Sequence, residues 1–502
     1  MNDSGGALPA RFAYALAVVS GALYVLAFPG IDLWPLAFVV FVPLIVALEG
    51  ATPRRALGLG WASGFAMTMF GFYWMLPMLR VFSGLPTIVC VLLMVLVCAY
   101  QAGRMALCGW LVGRAAQNDW PRAPVFALAF VASELVFPLL FPWCFGVCAH
   151  RLPVLIQVAD LGGQILVGLV VVAVNIGLAE LVLARRQRRP AQRLVLGAAL
   201  AMPLLSVVYG AWRLSAVGAA MRAAETITVG IVQANMPLFD RAAATAVYAR
   251  RTQELKERGA GLVVWSELAL QRTYYESSYE RDVPRQVSGT LGIPTVFGAT
   301  LYSEDRGRPV FHNAALMADD AGRILGRYDK HYLLAFGEYL PLGETFPIIY
   351  RWSPNSGRYA PGKSLDPFLW NGHRISAFIC YEDILPAFVN RMVRVGNPDL
   401  LVNITNDAWF GDSIEPWGHM ALSKLRAVEH RRYLVRATNS GVSAIIDATG
   451  RIVVHGGTFH EEALAGEARF MRARTVYETL GDIPWWLGTA AIGFMAVRRR
   501  KR

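Results

Sequence analysis

Charge is what this sequence has least of. Only 17% of its 502 residues are Asp, Glu, Lys or Arg, against about 25% in an average soluble protein. With 55% of residues hydrophobic, that deficit points to a membrane protein. Cysteine is scarce too: six residues are too few for a disulfide scaffold. Cys90, Cys98 and Cys108 lie in apolar segments, Cys144 and Cys148 flank a loop, and Cys380 stands alone in the polar half. The apolar segments hold no chain of acidic residues, which argues against an ion-coupled transporter. Arg104, Glu134 and Asn175 are their notable polar residues, and Arg104 reads as a structural side chain that snorkels toward one membrane face. The first apolar segment lacks a small-residue cleavage site followed by polar sequence, so it reads as a retained helix.

What is present is a succession of apolar runs. A membrane span needs about 20 mostly apolar residues. Seven candidates precede residue 217, at 12–28, 33–48, 57–79, 86–112, 124–143, 161–183 and 194–212. An eighth, 483–497, is short and opens on the interfacial anchor Pro484-Trp485-Trp486. Arginines fill alternate loops: Arg54 and Arg55; Arg114 and Arg122; Arg185, Arg186, Arg188, Arg189 and Arg193; and Arg498 to Arg500 with Lys501 and Arg502. If all eight segments cross, every cluster falls on one side, which the positive-inside rule makes the cytoplasm. The distribution says more than the net charge of +12. The expected organisation is a seven-helix membrane domain at 1–222, an extracytoplasmic domain at 223–478, and a last helix with a basic tail at 479–502. Phe141-Pro-Trp143-Cys144-Phe-Gly-Val-Cys148 is an aromatic outer loop. Its two cysteines have two readings, a disulfide in an oxidising compartment or free, packed thiols.

After residue 222 the pattern changes. Strand-like runs occupy 226–233, 261–265, 295–299, 314–318, 374–379, 400–404 and 442–446, with helical stretches such as 242–258 and 419–438 between them. The alternation predicts a layered α/β domain. Runs that are apolar throughout, such as Leu262-Val-Val264 and Leu400-Leu-Val402, fit strands covered on both faces.

Three strand ends carry chemistry: Val264-Trp265-Ser266-Glu267, Tyr328-Asp-Lys330-His331 with Phe336-Gly-Glu338-Tyr-Leu-Pro341 behind it, and Ile379-Cys380-Tyr381-Glu382. Alone, each has an ordinary reading as a helix cap, a solvated lysine or a core thiol. Together they supply what acyl transfer needs: a base for the thiol proton, a cation for the developing oxyanion, and a sulfur nucleophile. A free cysteine has a pKa of about 8.5 and depends on such neighbours.

These motifs resemble the nitrilase superfamily, whose catalytic set is Glu-Lys-Cys. The joined architecture resembles its membrane-embedded branch, the apolipoprotein N-acyltransferases, over essentially the whole chain. Asn403-Ile-Thr-Asn406-Asp407-Ala-Trp409-Phe410-Gly411, Pro416-Trp417-Gly-His419 and Arg436-Ala-Thr-Asn439-Ser-Gly441 match as well. The resemblance implies a four-layer αββα sandwich joined to an eight-helix transmembrane domain. It implies Glu267 as general base, Lys330 as oxyanion stabiliser and Cys380 as nucleophile. The backbone N–H of Tyr381 would complete the oxyanion hole, Glu338 would orient Lys330, and Glu382 would support the nucleophile. Two departures stand out. Phe239 follows Gln233-Ala-Asn235-Met-Pro237 where members often have Trp, and Ala335 stands where they often have Pro.

The implied reaction is ping-pong transfer of an acyl chain from a phospholipid, through a Cys380 thioester, to the α-amino group of a lipoprotein's diacylglyceryl-cysteine, without metal or cofactor. It places a monomer in the bacterial inner membrane, both termini cytoplasmic and the catalytic domain periplasmic, with no nucleic-acid partner. Trp409, Phe410 and Trp417 read either as a lid over the cysteine or as loop packing. Trp143 reads either as an acyl-chain contact or as packing. A membrane-tethered nitrilase-type amidase, or a non-catalytic lipoprotein-binding or transport protein, are the rival readings.

Overall fold

The computed structural model describes residues 7–237, 244–305, 308–335, 337–340, 343, 345–346, 348–352 and 357–500. The chain divides into two compact units, one of residues 1–79, 85–215 and 475–502, the other of 80–84 and 216–474.

The first unit is helical. Among the described residues, four helices have the length and apolarity to cross a membrane: Ala10–Ala27, Thr87–Gln117, Ala159–Arg186 and Arg193–Ala223. Trp34–Ala47 and Ile483–Val497 are shorter apolar helical segments. Some expected spans are interrupted. Residues 33–48 form a 3-10 turn, Trp34–Phe38, and a short helix, Val42–Ala47, with Pro35 and Pro43 near their starts. The run at 57–79 belongs to two helices, Pro53–Gly71 and Met75–Ser83. The run at 124–143 is helical only in Arg122–Val136, because Phe137 precedes Pro138 and turns extended. Pro53–Gly71 packs tightly on Gly103–Gln117. A Cβ added at Gly60 would lie 2.0 Å from the Met105 carbonyl oxygen, the small-residue contact that lets membrane helices approach closely. Cys144 and Cys148 are buried and are not bridged to each other.

The second unit is built on two sheets. The first runs β13-β1-β2-β4-β5-β6, with β3 also paired to β4. Its strands are β1 (Thr226–Gln233), β2 (Leu262–Trp265), β3 (Thr273–Tyr275), β4 (Thr295–Asp305), β5 (Arg308–Ala318), β6 (Ile324–Asp329) and β13 (Glu462–Arg469). The second runs β12-β11-β10-β9-β8-β7, from β7 (Phe368–Trp370), β8 (His373–Ile379), β9 (Leu400–Thr405), β10 (Tyr433–Thr438), β11 (Ala444–Ile446) and β12 (Ile452–His455). The central strands β1-β2-β4 and β8-β9-β10 are parallel, and antiparallel strands flank them.

Side-chain alternation makes the layers. Leu262 and Val264 of β2 join Ile375, Ala377, Val402 and Val435 in the core between the sheets. Val263 and Trp265 point the other way, onto Tyr248 and Leu255 of the helix Ala244–Glu257. The helices Pro386–Gly396 and Glu415–His430 cover the second sheet. The result is an αββα sandwich, the four-layer architecture expected from the sequence motifs. The helix expected at 419–438 needs correcting. It ends at His430, where Arg431 turns left-handed (φ +52°), and Tyr433–Thr438 is the fully buried strand β10. Aromatic and β-branched residues in that run favour the sheet.

Candidate active site

Each chemically marked residue sits just past a strand. Beyond β2, the Trp265 ring stacks on Tyr248 with centroids 4.8 Å apart, and its Nε1 donates to Thr252 Oγ1 at 2.9 Å. Ser266 Oγ lies 2.5 Å from the Tyr248 hydroxyl. Leu268 has φ +51°, so the chain turns sharply at Glu267. The turn presses on β4, where a Cβ at Gly298 would meet the Leu268 nitrogen at 2.3 Å. Position 298 therefore has to be glycine for Glu267 to hold its place.

Lys330 follows β6, and its ammonium contacts two carboxylates, Glu267 Oε1 at 3.3 Å and Glu338 Oε2 at 2.9 Å. The Asn313 amide on β5 donates to both acids, 2.7 Å to Glu267 and 2.8 Å to Glu338. The Leu334 N–H donates to Glu338 Oε2 at 2.8 Å. Glu267 is 5% exposed and Lys330 2%. Burial opposes the Lys330 charge, but Glu267 and Glu338 outweigh it and hold the ammonium well above its ordinary pKa. Two acids share one cation. Burial raises the Glu267 carboxyl, Lys330 pulls it back, and the Glu338 charge pushes it up again, for a net rise.

Cys380 ends β8 at φ +55°, a left-handed conformation that costs a non-glycine residue about 1–3 kcal/mol. Two side chains fix the turn. Glu382 Oε2 accepts the Ile379 N–H at 2.7 Å, and Asn403 Nδ2 donates to the Cys380 carbonyl at 3.1 Å. Glu382 also takes the Tyr328 hydroxyl at 2.7 Å and the backbone N–H groups of His331 and Tyr332 at 2.6 and 3.0 Å. It thus ties the turn at the cysteine to the loop after Lys330. Burial raises its carboxyl to about 7 against those donors. Burial also drives the thiol pKa far up; the Glu267 charge adds to the rise, and Lys330 opposes it. At neutral pH the sulfur is therefore a thiol, and attack requires a base to take its proton. The Lys330 ammonium lies 5.9 Å from the centre of the Tyr381 ring.

A second buried cluster supports the same turn. The Arg436 guanidinium bonds Asp383 at 2.5 Å, Asn403 Oδ1 at 2.6 Å and Asp407 at 2.8 Å. His419 bridges the same two aspartates, 2.9 Å to Asp407 and 2.8 Å to Asp383. Burial raises Asp407, but His419 and Arg436 overrule it and hold it at about 2. Burial and Arg436 lower His419, but the two aspartates raise it to about 9. Two cations and two anions balance, and Arg436 reaches Cys380 through Asn403.

A cavity of about 690 Å³ begins at Tyr381 and is lined by Tyr332, Leu333, Tyr339, Tyr350, Arg358 and Tyr359 among others. Trp409, Phe410 and Trp417 are not among its lining residues. Trp409 and Phe410 are half-buried in the turn Asp407–Phe410, and Trp417 packs on the hydrophobic core from the covering helix, edge-on to His455. Trp143 is 2% exposed in the helical unit, stacked 3.8 Å from Phe28. Phe239 lies outside the described residues. The structure thus brings together Glu267, Lys330, Glu338, Cys380, Tyr381 and Glu382. The described residues hold no cluster of His, Cys, Asp or Glu suited to a metal.

The family model for the apolipoprotein N-acyltransferase N-terminal domain matches residues 20–177. The carbon-nitrogen hydrolase model matches residues 228–476, over the sandwich. A protein named apolipoprotein N-acyltransferase from Geobacter metallireducens is 32% identical, over 98% of this chain and 97% of its own. This chain belongs to the apolipoprotein N-acyltransferase family. A relative of the same name from Azotobacter vinelandii is also 32% identical, over 97% of this chain and 95% of its own. Among solved structures, an amidase from Nesterenkonia sp. is 19% identical with a TM-score of 0.36, covering 48% of this chain and 90% of that one.

For this family member, sequence reasoning had passed over Asn313, Asn403, His419 and Arg436 as parts of the site. Asn313 carried a usable signal, an amide inside the otherwise apolar run Phe311-His-Asn313-Ala-Ala-Leu-Met317. A buried amide on a strand has to find partners.

Proposed function

We propose that this enzyme moves an acyl chain from a phospholipid to the α-amino group of the N-terminal diacylglyceryl-cysteine of a lipoprotein, through a thioester on Cys380. The observation that carries the reading is the strained Cys380 turn set against the Glu267–Lys330–Glu338 cluster. The full-length family match supports it. Glu267 takes the thiol proton as the sulfur attacks a phospholipid ester carbonyl. The Lys330 ammonium and the Tyr381 N–H hold the oxyanion. The ester C–O bond breaks, the lysophospholipid oxygen takes the proton from Glu267, and the thioester remains. The acceptor amine then attacks the thioester and gives a proton to Glu267. The C–S bond breaks, and the proton returns to the sulfur as the amide is released. Glu338 and Asn313 keep Lys330 and Glu267 in register, and Glu382 holds the Cys380 turn.

The arginine-bearing loops support an inner-membrane protein that crosses eight times, with both termini cytoplasmic and the sandwich periplasmic; the proposed working form is a monomer. Trp409 and Phe410, in the turn after β9, and Trp417, in the first turn of the helix Glu415–His430, stand as proposed substrate contacts; Phe239 and Trp143 are the other two.

The test is a two-step transfer with the purified full chain in detergent. Labelled phospholipid should load the protein, and a diacylglyceryl-cysteine peptide should then carry the label away as an amide. Release of free fatty acid with no peptide acylation would make the protein an amidase-like hydrolase instead.

A further inference from the structure

The cavity beside Cys380 has a chemical signature that the transfer reaction does not by itself require. Five of its lining residues are tyrosines: Tyr332, Tyr339, Tyr350, Tyr359 and Tyr381. Arg358 is its one lysine or arginine, and no aspartate or glutamate lines it among the described residues. The Arg358 guanidinium lies over the Tyr350 ring, 4.2 Å from its centre. The side chain is exposed and has no carboxylate partner among the described residues. A guanidinium stacked on a ring by its face keeps the N–H groups of its edge for a ligand, and that planar fork matches a phosphate. An otherwise uncharged, aromatic-lined cavity with one cation selects an anion carried on an amphipathic body.

The link to the nucleophile is Tyr381, which both follows Cys380 in the chain and lines the cavity. In a glycerophospholipid the acyl esters and the phosphodiester share one glycerol. An ester carbonyl held at Cys380 therefore leaves the phosphate only a few bonds away. We infer that Arg358 binds the phosphodiester of the acyl donor in this cavity, and that the enzyme thereby selects phospholipids over uncharged acylglycerols. This assignment rests on the acyltransfer reading above.

The experiment compares two donors with identical acyl chains, a phosphatidylglycerol and the corresponding 1,2-diacylglycerol, in mixed micelles with the full chain. The readout is the rate of thioester formation on Cys380, with saturation separating KM from kcat. In the wild type the phospholipid should react far faster. Arg358→Gln should lower kcat/KM for the phospholipid about 10- to 100-fold, as expected for a lost bond to a charged group, mainly through KM. The ratio of the two donors should then fall toward one. Arg358→Lys, which keeps the charge but loses the fork, should recover part of the loss. Acylation of Cys380 by a short p-nitrophenyl ester reports that the variants remain folded. Equal losses with both donors, or an unchanged ratio, would overturn the Arg358 assignment while leaving the acyltransfer reading intact. A loss confined to the second step, from preformed thioester to peptide, would place the acceptor in the cavity and also overturn it. Failure of every donor to form a thioester in the wild type would remove the acyltransfer reading, and the assignment with it.

Discussion

Two buried ionic clusters meet the Cys380 turn, and they are built to different ends. The cluster of Glu267, Lys330 and Glu338 gathers two acids around one cation. The cluster of Asp383, Asp407, His419 and Arg436 pairs two acids with two bases. In the balanced set each aspartate is gripped by both bases. The unbalanced one leaves Glu267 poised to accept a proton, next to a thiol that burial keeps protonated. An interior charge surplus is expensive, so it is expected where chemistry uses it. A balanced network serves to hold backbone, here through Asn403 on the Cys380 carbonyl.

Substitutions should separate the two. Cys380→Ala should abolish N-acylation with the fold intact, which transfer activity and a thermal melt check together. Glu267→Gln keeps the shape but removes the base, and the thioester-forming rate should fall about 10²- to 10⁴-fold with little change in melting temperature. Arg436→Met should do the reverse of a purely catalytic lesion. It strands two buried carboxylates with His419 alone, at a cost of about 3–5 kcal/mol, read as a lower unfolding midpoint. A neutral melt for Arg436→Met, or a collapsed one for Glu267→Gln, would erase the distinction.

The pH profiles sharpen the same contrast. His419 is raised to about 9 in the folded protein, above an unfolded value of about 6.5. Its stabilisation is therefore complete below about 6.5 and lost as pH rises through 9. Asp407, held at about 2, works the other way: its stabilisation is present above an unfolded value of about 3.9 and lost as pH falls toward 2. Thermal midpoints should thus decline on the alkaline side and again in strong acid. Activity should fail earlier in acid. The Glu267 carboxyl is raised and must be ionised to act, so the acid limb of thioester formation should lie above the ordinary glutamate value of about 4.3. A limb at or below that value would contradict the unbalanced-cluster account.

Much of this was legible in the sequence, and the reasons differ by element. The apolar runs Leu262–Val264 of β2 and Leu400–Val402 of β9 announce buried strands, and the polar residue just past β2, β6 and β8 marks each chemically active end. The strand β10 was hidden because its residues continue the helical spacing of the segment before it; only the left-handed Arg431 separates them. The strands β3, β7, β12 and β13 are short or carry polar residues on an open face, so no periodicity betrays them. In the helical unit, hydropathy located apolar segments but not their breaks, some of which prolines at 35, 43 and 138 impose. Asn313, His419 and Arg436 act through contacts with residues 12 to 53 positions away, such as Arg436 with Asp383. Linear order does not reveal partners at that separation.

The central claim is that Cys380 carries the acyl chain. The full-length protein, incubated with a phospholipid of defined acyl composition and no acceptor, should yield a Cys380 peptide heavier by one donor acyl group. Adding a diacylglyceryl-cysteine peptide should discharge that mass into an amide. An unmodified Cys380 peptide while acylated product accumulates, or acyl transfer that persists in Cys380→Ala, would contradict the account.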